Sequence, residues 1–342
     1  MSEKFIFCYV KKDDNGIFKD LTSENSQCDS EFWLSHKPTS NKLSTLFKSA
    51  LLSLTLNSKF HVPFQEIYYN LHNYPFNNED DYYVILPSAC ISQYSLKYLL
   101  SIKKKFPNVN LIALLTDSMH ASSPHLNLVR NKLFSDVWYK VLTYDKYDAK
   151  EYGFTWFGYT YYSDFTHIKQ SKDQSDIYYI GFEKGNREGI IGSLYEYLKK
   201  NDVVCAFKVI QHKIKMLKSK NKVEFVKGSS LPYTIKTLKY SQVISEVKST
   251  NCILELLQEN QQTQSLRYFE AIVFNKKLLS NNKHIKELPY YNEKYMKYFE
   301  KIEDIDPNWV KEKEEINYGY KGEFSPIYLI DFIQSIIDKD KE

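Results

Sequence analysis

Short apolar runs alternate along the chain with stretches in which apolar positions recur every three or four residues. That alternation predicts α/β domains, in which strands pair in parallel through helical crossovers. In the first half, Lys4 to Val10, Tyr82 to Leu86, Leu111 to Leu115 and Lys140 to Thr143 read as strands. Helices are predicted over Ser40 to Leu56, with Leu43, Leu46, Phe47, Ala50, Leu51 and Leu54 on one side, and near Ser95 to Phe106 and Pro124 to Phe134. The periodicity lapses between Thr166 and Ser175, a polar stretch that marks the expected domain boundary. Residues 1–170 then form one Rossmann-like domain and residues 171–323 a second. Residues 324–342 form a C-terminal helix with Ile330, Ile333 and Ile337 on one stripe behind Ser325 and Pro326.

The second half restarts with a strand from Asp176 to Ile180 that enters Gly181-Phe182-Glu183-Lys184-Gly185-Asn186-Arg187, after which Ile190, Ile191, Leu194 and Leu198 mark an amphipathic helix. Gly181 and Gly185 permit a tight turn, and Lys184 and Arg187 bring positive charge to the end of a strand, where open α/β sheets bind ligands. Two glycines after a strand also occur as plain turn residues, and neither a dinucleotide fingerprint nor a P-loop is present. Strands near Val203 to Ile210 and Val223 to Val226 and a helix around Ser241 to Lys248 follow.

The densest pattern lies between Cys252 and Asn282. An apolar strand ends at Gln258, the loop Glu259 to Gln264 is polar, and Leu266, Phe269 and Val273 resume helical spacing. Ser265 is the expected N-cap, so the first helical amides are unpaired and suit a phosphate or diphosphate. Arg267 and Glu270, three residues apart, offer a cation to a phosphate and a carboxylate to a ribose hydroxyl while Leu266 and Phe269 face inward. An exposed, weakly interacting charge pair is the alternative.

This segment resembles the donor-binding motif of bacterial glycosyltransferases that build capsular, exopolysaccharide and lipopolysaccharide chains, two-domain enzymes of the GT-B architecture. The matching residues are Gln258, Gln261, Gln262, Thr263, Ser265, Leu266, Arg267, Glu270, Ala271, Lys276, Lys277, Leu278, Asn281 and Asn282. Thr263 stands where the family usually has Gly, and Gln262 replaces the first of two Glu residues common in the wider class. The resemblance implies two Rossmann-like domains with parallel sheets facing an interdomain cleft. It also implies a terminal helix packed toward the N-terminal domain, and a donor site holding Gly181, Lys184, Asn186, Arg187, Gln258, Gln261, Ser265, Arg267 and Glu270. The donor would be a nucleotide diphosphate sugar, bound as substrate without a cofactor, and the acceptor a surface glycan or lipid-linked oligosaccharide.

At 342 residues the chain has room for two cores, and its 43% hydrophobic and 26% charged content fits a soluble globular protein. No apolar run reaches the ~20 residues of a membrane span, and the start lacks a signal-peptide pattern, so a cytoplasmic location is expected. The five cysteines, Cys8, Cys28, Cys90, Cys205 and Cys252, are scattered without paired spacing, which argues against disulfides and zinc. Lysines cluster at 103–105 and between 213 and 222 within a net charge of +4. They read as solvated faces or as a peripheral contact with the inner face of the plasma membrane; no nucleic-acid motif accompanies them, and nucleic acid is not expected as a partner.

A catalytic base is harder to read. Asp117 and His120 follow the strand Leu111 to Leu115, at an edge where sites gather, while His61, His72 and His125 stay open and Asp145 either faces the cleft or caps a helix. Asp304-Ile305-Asp306 matches the Asp-x-Asp pattern of metal-dependent glycosyltransferases but lies in an acidic loop, and no metal is expected. A metal-independent glycosyltransferase is therefore the expectation, with a non-catalytic nucleotide-sugar-binding partner of another glycosyltransferase as the alternative.

Overall fold

Tyr82, Tyr83, Val84, Ile85 and Leu86 are buried without interruption, a pattern that only a strand covered on both faces can satisfy. The computed structural model, which describes residues 2–9, 30–52, 65–120, 124–158, 168–183, 187, 189–210, 223–234, 238–258 and 261–342, places this segment inside a parallel sheet. The strands are β1 (Glu3–Tyr9), β2 (Ser30–Leu34), β3 (Asp81–Pro87), β4 (Val109–Leu114), β5 (Trp138–Thr143) and β6 (Thr155–Trp156), in the order β2-β1-β3-β4-β5-β6. Between them run helices α1 (Lys42–Leu51), α2 (Ser88–Gln93), α3 (Leu96–Lys105), α4 (Pro124–Leu133) and α5 (Lys146–Tyr152).

A second parallel sheet comprises β7 (Ser175–Phe182), β8 (Cys205–Ile210), β9 (Thr250–Glu255), β10 (Lys277–Ser280) and β11 (Met296–Tyr298), ordered β11-β10-β9-β7-β8. Its helices are α6 (Ile190–Lys200), α7 (Tyr240–Ser249), α8 (Leu266–Val273) and α9 (Pro307–Lys311), and α10 (Pro326–Lys341) follows. The architecture is α/β with two Rossmann-like units. Contacts divide the chain into Met1–Ser163 with Phe324–Glu342, and Asp164–Glu323.

The first unit has two cores because its strands alternate sides. Ile6, Cys8, Tyr82, Val84 and Leu86 face a cluster completed by Leu99, Ile102, Val129 and Leu133. Phe5, Phe7, Tyr83 and Ile85 face the other way, where α10 covers them with Leu329, Ile330, Ile333 and Ile337. Ser325 caps that helix by accepting the Ile327 amide, and Pro326 occupies its first turn.

Three differences from the sequence reading have physical causes. Residues Val223 to Val226 form no strand: Val223 and Phe225 are exposed, and Phe225 makes only an isolated bridge to Pro232. Helix α1 exists, yet Leu43, Leu46 and Phe47 of its apolar side are exposed, while Leu51 is half-buried and Leu54 lies outside the described residues. Leu266 is also 37% exposed where an inward side chain is expected, since it is the first residue of α8 and the buried face begins with Tyr268 and Phe269. Short β2, α2, α5 and β6 escape the periodicity because each presents too few residues to establish a period.

Helix α6 packs close to its neighbours through Gly192, where an added Cβ would lie 2.3 Å from the Lys227 carbonyl oxygen. Backbone cannot swing aside as a flexible side chain does, so Gly192→Ala is expected to cost about 1–3 kcal/mol. Urea midpoints of the two proteins check this, and an unchanged midpoint would show that the turn around Lys227 yields freely.

Candidate functional site

The second sheet reverses its strand order between β7 and β9, which pair directly through Ile177–Cys252 and Tyr178–Ile253. The chain leaves these adjacent strands by separate turns, and the carboxyl ends of strands flanking such a reversal are where open α/β sheets hold ligands. One turn begins at Gly181 and carries Arg187; the other runs from Leu256 to Ser265 and enters α8. Lys184 and Asn186, with Gly185, lie outside the described residues.

Gly181 has a structural reason of its own. A Cβ there would meet the Tyr179 hydroxyl at 2.4 Å and its Cζ at 2.9 Å, so the glycine makes room for a buried phenol. That hydroxyl has no hydrogen-bond partner among the described residues. Burial raises the Tyr179 pKa, with Arg187 and then Arg267 opposing the rise. The Arg187 Nε is likewise buried without a partner among the described residues.

The second turn is built around Glu255, a fully buried carboxylate for which the sequence reading assigned no role. Its Oε1 accepts the Ser265 amide at 2.8 Å and the Ser265 hydroxyl at 2.7 Å, and its Oε2 accepts the Ser280 hydroxyl at 2.6 Å. Ser265 Oγ in turn accepts the Arg267 amide at 3.2 Å as N-cap of α8. One side chain thereby joins the ends of β9 and β10 to the start of α8. Burial pushes its pKa up against these donated hydrogen bonds. The visible signal was an acidic residue inside an otherwise apolar strand.

Glu270 is also fully buried, not offered at the surface. Tyr240 donates to its Oε1 at 3.1 Å, and its Oε2 lies 2.6 Å from Arg267 Nη1, an ion-pair distance without hydrogen-bond alignment. Burial lifts its pKa to about 7, with Arg267 and then Tyr240 opposing. Gln258 and Gln261 are half-buried, and the Gln258 carbonyl accepts the Gln261 amide at 2.9 Å, which closes the loop's first turn. Thr263 and Gln264 are buried while Gln262 is exposed.

The tail of the motif holds structure together. Asn281 Oδ1 accepts the Leu257 amide at 2.7 Å and so fixes the loop where it leaves β9. Lys276 donates to the Lys248 carbonyl at 2.9 Å. Lys277, fully buried, donates to the carbonyls of Trp309 and Glu312 at 2.8 Å each and pairs with Glu314 at 3.2 Å. Asp304 accepts the amides of Glu300 and Lys301, and Asp306 caps α9 through the Asn308 amide.

In the first unit, Asp117 is exposed in the turn after β4, although the protein atoms around its carboxyl raise its pKa by desolvation. His120 Nε2 lies 3.1 Å from Glu151 Oε2 and 3.8 Å from Asp148 Oδ1. Asp148 is buried, accepts the Met119 amide at 2.7 Å through Oδ2, and has a pKa raised to about 6, chiefly by desolvation. Asp145 caps α5 by accepting the Tyr147 and Asp148 amides, which settles its two sequence-level roles in favour of the cap. Asp148 and Glu151 were missed because helix α5 is too short to announce its faces. His72 bonds Tyr98 through Nδ1 at 3.1 Å; His61 and the His125 side chain lie outside the described residues. Among the described residues no group of three His, Cys, Asp or Glu side chains is arranged to hold a metal.

No protein-family profile and no curated relative matches the chain. Among solved structures, an alpha-glucosyltransferase in complex with UDP-glucose and DNA containing an abasic site is 14% identical, with a TM-score of 0.49 over 98% of this chain and 99% of that one. The Methanocaldococcus jannaschii UDP-GlcNAc 2-epimerase, in complex with UDP-GlcNAc and UDP, is 12% identical with a TM-score of 0.47 over 98% of this chain and all of that one, 100%. The alpha,alpha-trehalose-phosphate synthase (UDP-forming) of Burkholderia vietnamiensis is 7% identical with a TM-score of 0.43 over 82% and 84% of the two chains. The function proposed below rests on the residues of the site.

Proposed function

We propose that the chain is a glycosyltransferase that transfers a sugar from a nucleotide diphosphate sugar to a surface-glycan acceptor carried on a lipid, at the cytoplasmic face of the membrane. The observation that supports it most is the placement of Arg187 and Arg267 on the two turns that leave the adjacent strands β7 and β9 at the reversal of the second sheet, the second of them at the capped start of α8. A diphosphate is the ligand chemistry that two guanidinium groups and the N-terminus of α8 fit together.

In the transfer, the bond between the sugar's anomeric carbon and the diphosphate oxygen breaks, and its electron pair leaves with the diphosphate. Arg187, Arg267 and the α8 amides stabilise that charge, with the buried Glu270 orienting Arg267. The acceptor hydroxyl attacks the same carbon and its proton passes to a base, for which His120, oriented by Glu151 and Asp148, and Asp117 are the candidates. The donor is a substrate, and no cofactor or metal enters this reading.

A panel of nucleotide sugars screened by thermal shift tests the proposal, since a ligand at 100-fold its Kd adds about 2.7 kcal/mol. One or more members should raise Tm, and Arg267→Ala and Arg187→Ala should each weaken that binding roughly 10- to 150-fold, the loss of a charge-assisted hydrogen bond. No shift with any donor, together with salt-sensitive binding of arbitrary oligonucleotides, would replace this reading with a nucleic-acid one. Thr263, buried in the loop where the resembling family usually has Gly, favours a second reading, a non-catalytic nucleotide-sugar-binding partner of another glycosyltransferase. Donor hydrolysis or transfer by the purified chain would exclude that second reading.

A further inference from the structure

Buried phenols in this chain ordinarily find a partner. Tyr69, Tyr94 and Tyr268 donate to the carbonyls of Gln93, Ser35 and Pro289 at 2.5, 2.6 and 3.1 Å, and Tyr98 bonds His72. Among the described residues, Tyr178 and Tyr179 are the buried tyrosines whose hydroxyls have none. They are neighbours on β7 and face opposite sides of the sheet. Tyr179 is 2% exposed, and its ring packs in the second unit's core with its centroid 5.7 Å from that of Phe207. Its hydroxyl, however, is carried forward along the strand to Gly181, one residue before the end of β7.

Two features make this arrangement costly unless something binds there. A hydroxyl shut away from water with nothing to bond is worse than no hydroxyl, and phenylalanine would fill the same core space without it. Glycine weakens a strand, and here an added Cβ would collide with the phenol oxygen, so the glycine is what allows the oxygen its position. That position is the carboxyl end of a strand at the reversal of the sheet, where the turn carrying Arg187 begins. On the same turn, Arg187 Nε is a second buried donor without a partner among the described residues. Glu183 accepts the Tyr233 hydroxyl through Oε2 and has a buried, unpartnered Oε1, yet it takes no bond from the Tyr179 phenol. Burial raises the Tyr179 pKa, which keeps the phenol protonated, and so a donor, near neutral pH.

We propose that the Tyr179 hydroxyl is a ligand of the donor's diphosphate, unbonded in the free protein and donating to a phosphate oxygen when a nucleotide sugar binds. The inference rests on the donor reading and adds to it a contact supplied from within the core, by a residue outside the matching motif.

Tyr179→Phe removes one oxygen and keeps the ring, so stability and binding should move independently. Without ligand, the urea midpoint of the variant should equal or exceed that of wild type, because an unpaired buried group is lost. Its affinity for UDP, GDP or ADP and for their sugar conjugates, whichever the wild-type chain binds, should fall roughly tenfold or more, the loss of a hydrogen bond to a charged acceptor. A lower midpoint would show that the hydroxyl is already bonded in the free protein and would overturn the inference, even in a variant too unstable for binding to be measured. Equal affinities of the two proteins would overturn it while leaving the donor reading in place. A loss confined to the sugar conjugate, with the nucleoside diphosphate bound equally well, would put the phenol on the sugar and reject the diphosphate contact. Wild-type chain that binds none of these nucleotides would remove the donor reading and this contact together.

Discussion

Replacing Glu255 with Ala should lower stability by roughly 3–5 kcal/mol, because three donated hydrogen bonds lose a shared buried acceptor at once. The Ser265 amide and hydroxyl, half-buried, and the fully buried Ser280 hydroxyl would each lose their acceptor. Glu255→Gln keeps a carbonyl oxygen for part of this set and should lose about half as much. Urea midpoints measured on both variants decide the matter. An Ala variant within about 1 kcal/mol of wild type would mean that water takes over the acceptor's role. Since the same carboxylate fixes the N-cap of α8, donor affinity should fall along with stability in Glu255→Ala and recover in part in Glu255→Gln.

The second large effect is a pH dependence carried by Glu270. Its folded pKa of about 7 lies above the ordinary 4.5, so the folded protein binds this proton more tightly than the unfolded chain does. The resulting stability is fully present below about pH 4.5 and is lost as pH rises through 7, an integrated change of roughly 3 kcal/mol. Glu270→Gln cannot titrate, so the difference in stability between the two proteins should shift across that window in favour of the variant as pH rises. Asp148, raised to about 6, titrates in the same range but is common to both proteins and cancels in the difference. Denaturation curves at several pH values between 5 and 8 test this, and a flat difference would show that Arg267 and Tyr240 hold the carboxylate ionised throughout. Donor affinity should run the other way, rising with pH, if the ionised carboxylate is what orients Arg267.

Much of the fold is legible in the sequence because buried parallel strands are apolar on both faces. Tyr82 to Leu86 and Leu111 to Leu115 need no tertiary information to be recognised. Helix α1 shows the limit of the same reasoning: the periodicity of Leu43, Leu46 and Phe47 reports a helix with an apolar side, but nothing local says whether that side meets a core. At the site, the order Ser265, Arg267, Glu270 identified the helix start and its ionic pair. It did not reveal that Glu270 is closed off, because burial depends on Tyr240 from a distant segment. Glu255 and Asp148 escaped for a related reason, since a lone acidic residue becomes informative only when its donors, Ser280 and Met119, are known to be adjacent.

The way α10 covers Phe5, Phe7, Tyr83 and Ile85 carries a consequence for biogenesis. The first unit to be translated cannot finish its second core until the segment that follows the other unit has left the ribosome. Asp164–Glu323 is continuous and can complete itself earlier, so the order of maturation is the reverse of the order of synthesis. In the interval a bare aromatic sheet face is exposed on the nascent chain, and a chaperone that shields it should raise the yield of folded protein more than one acting after release.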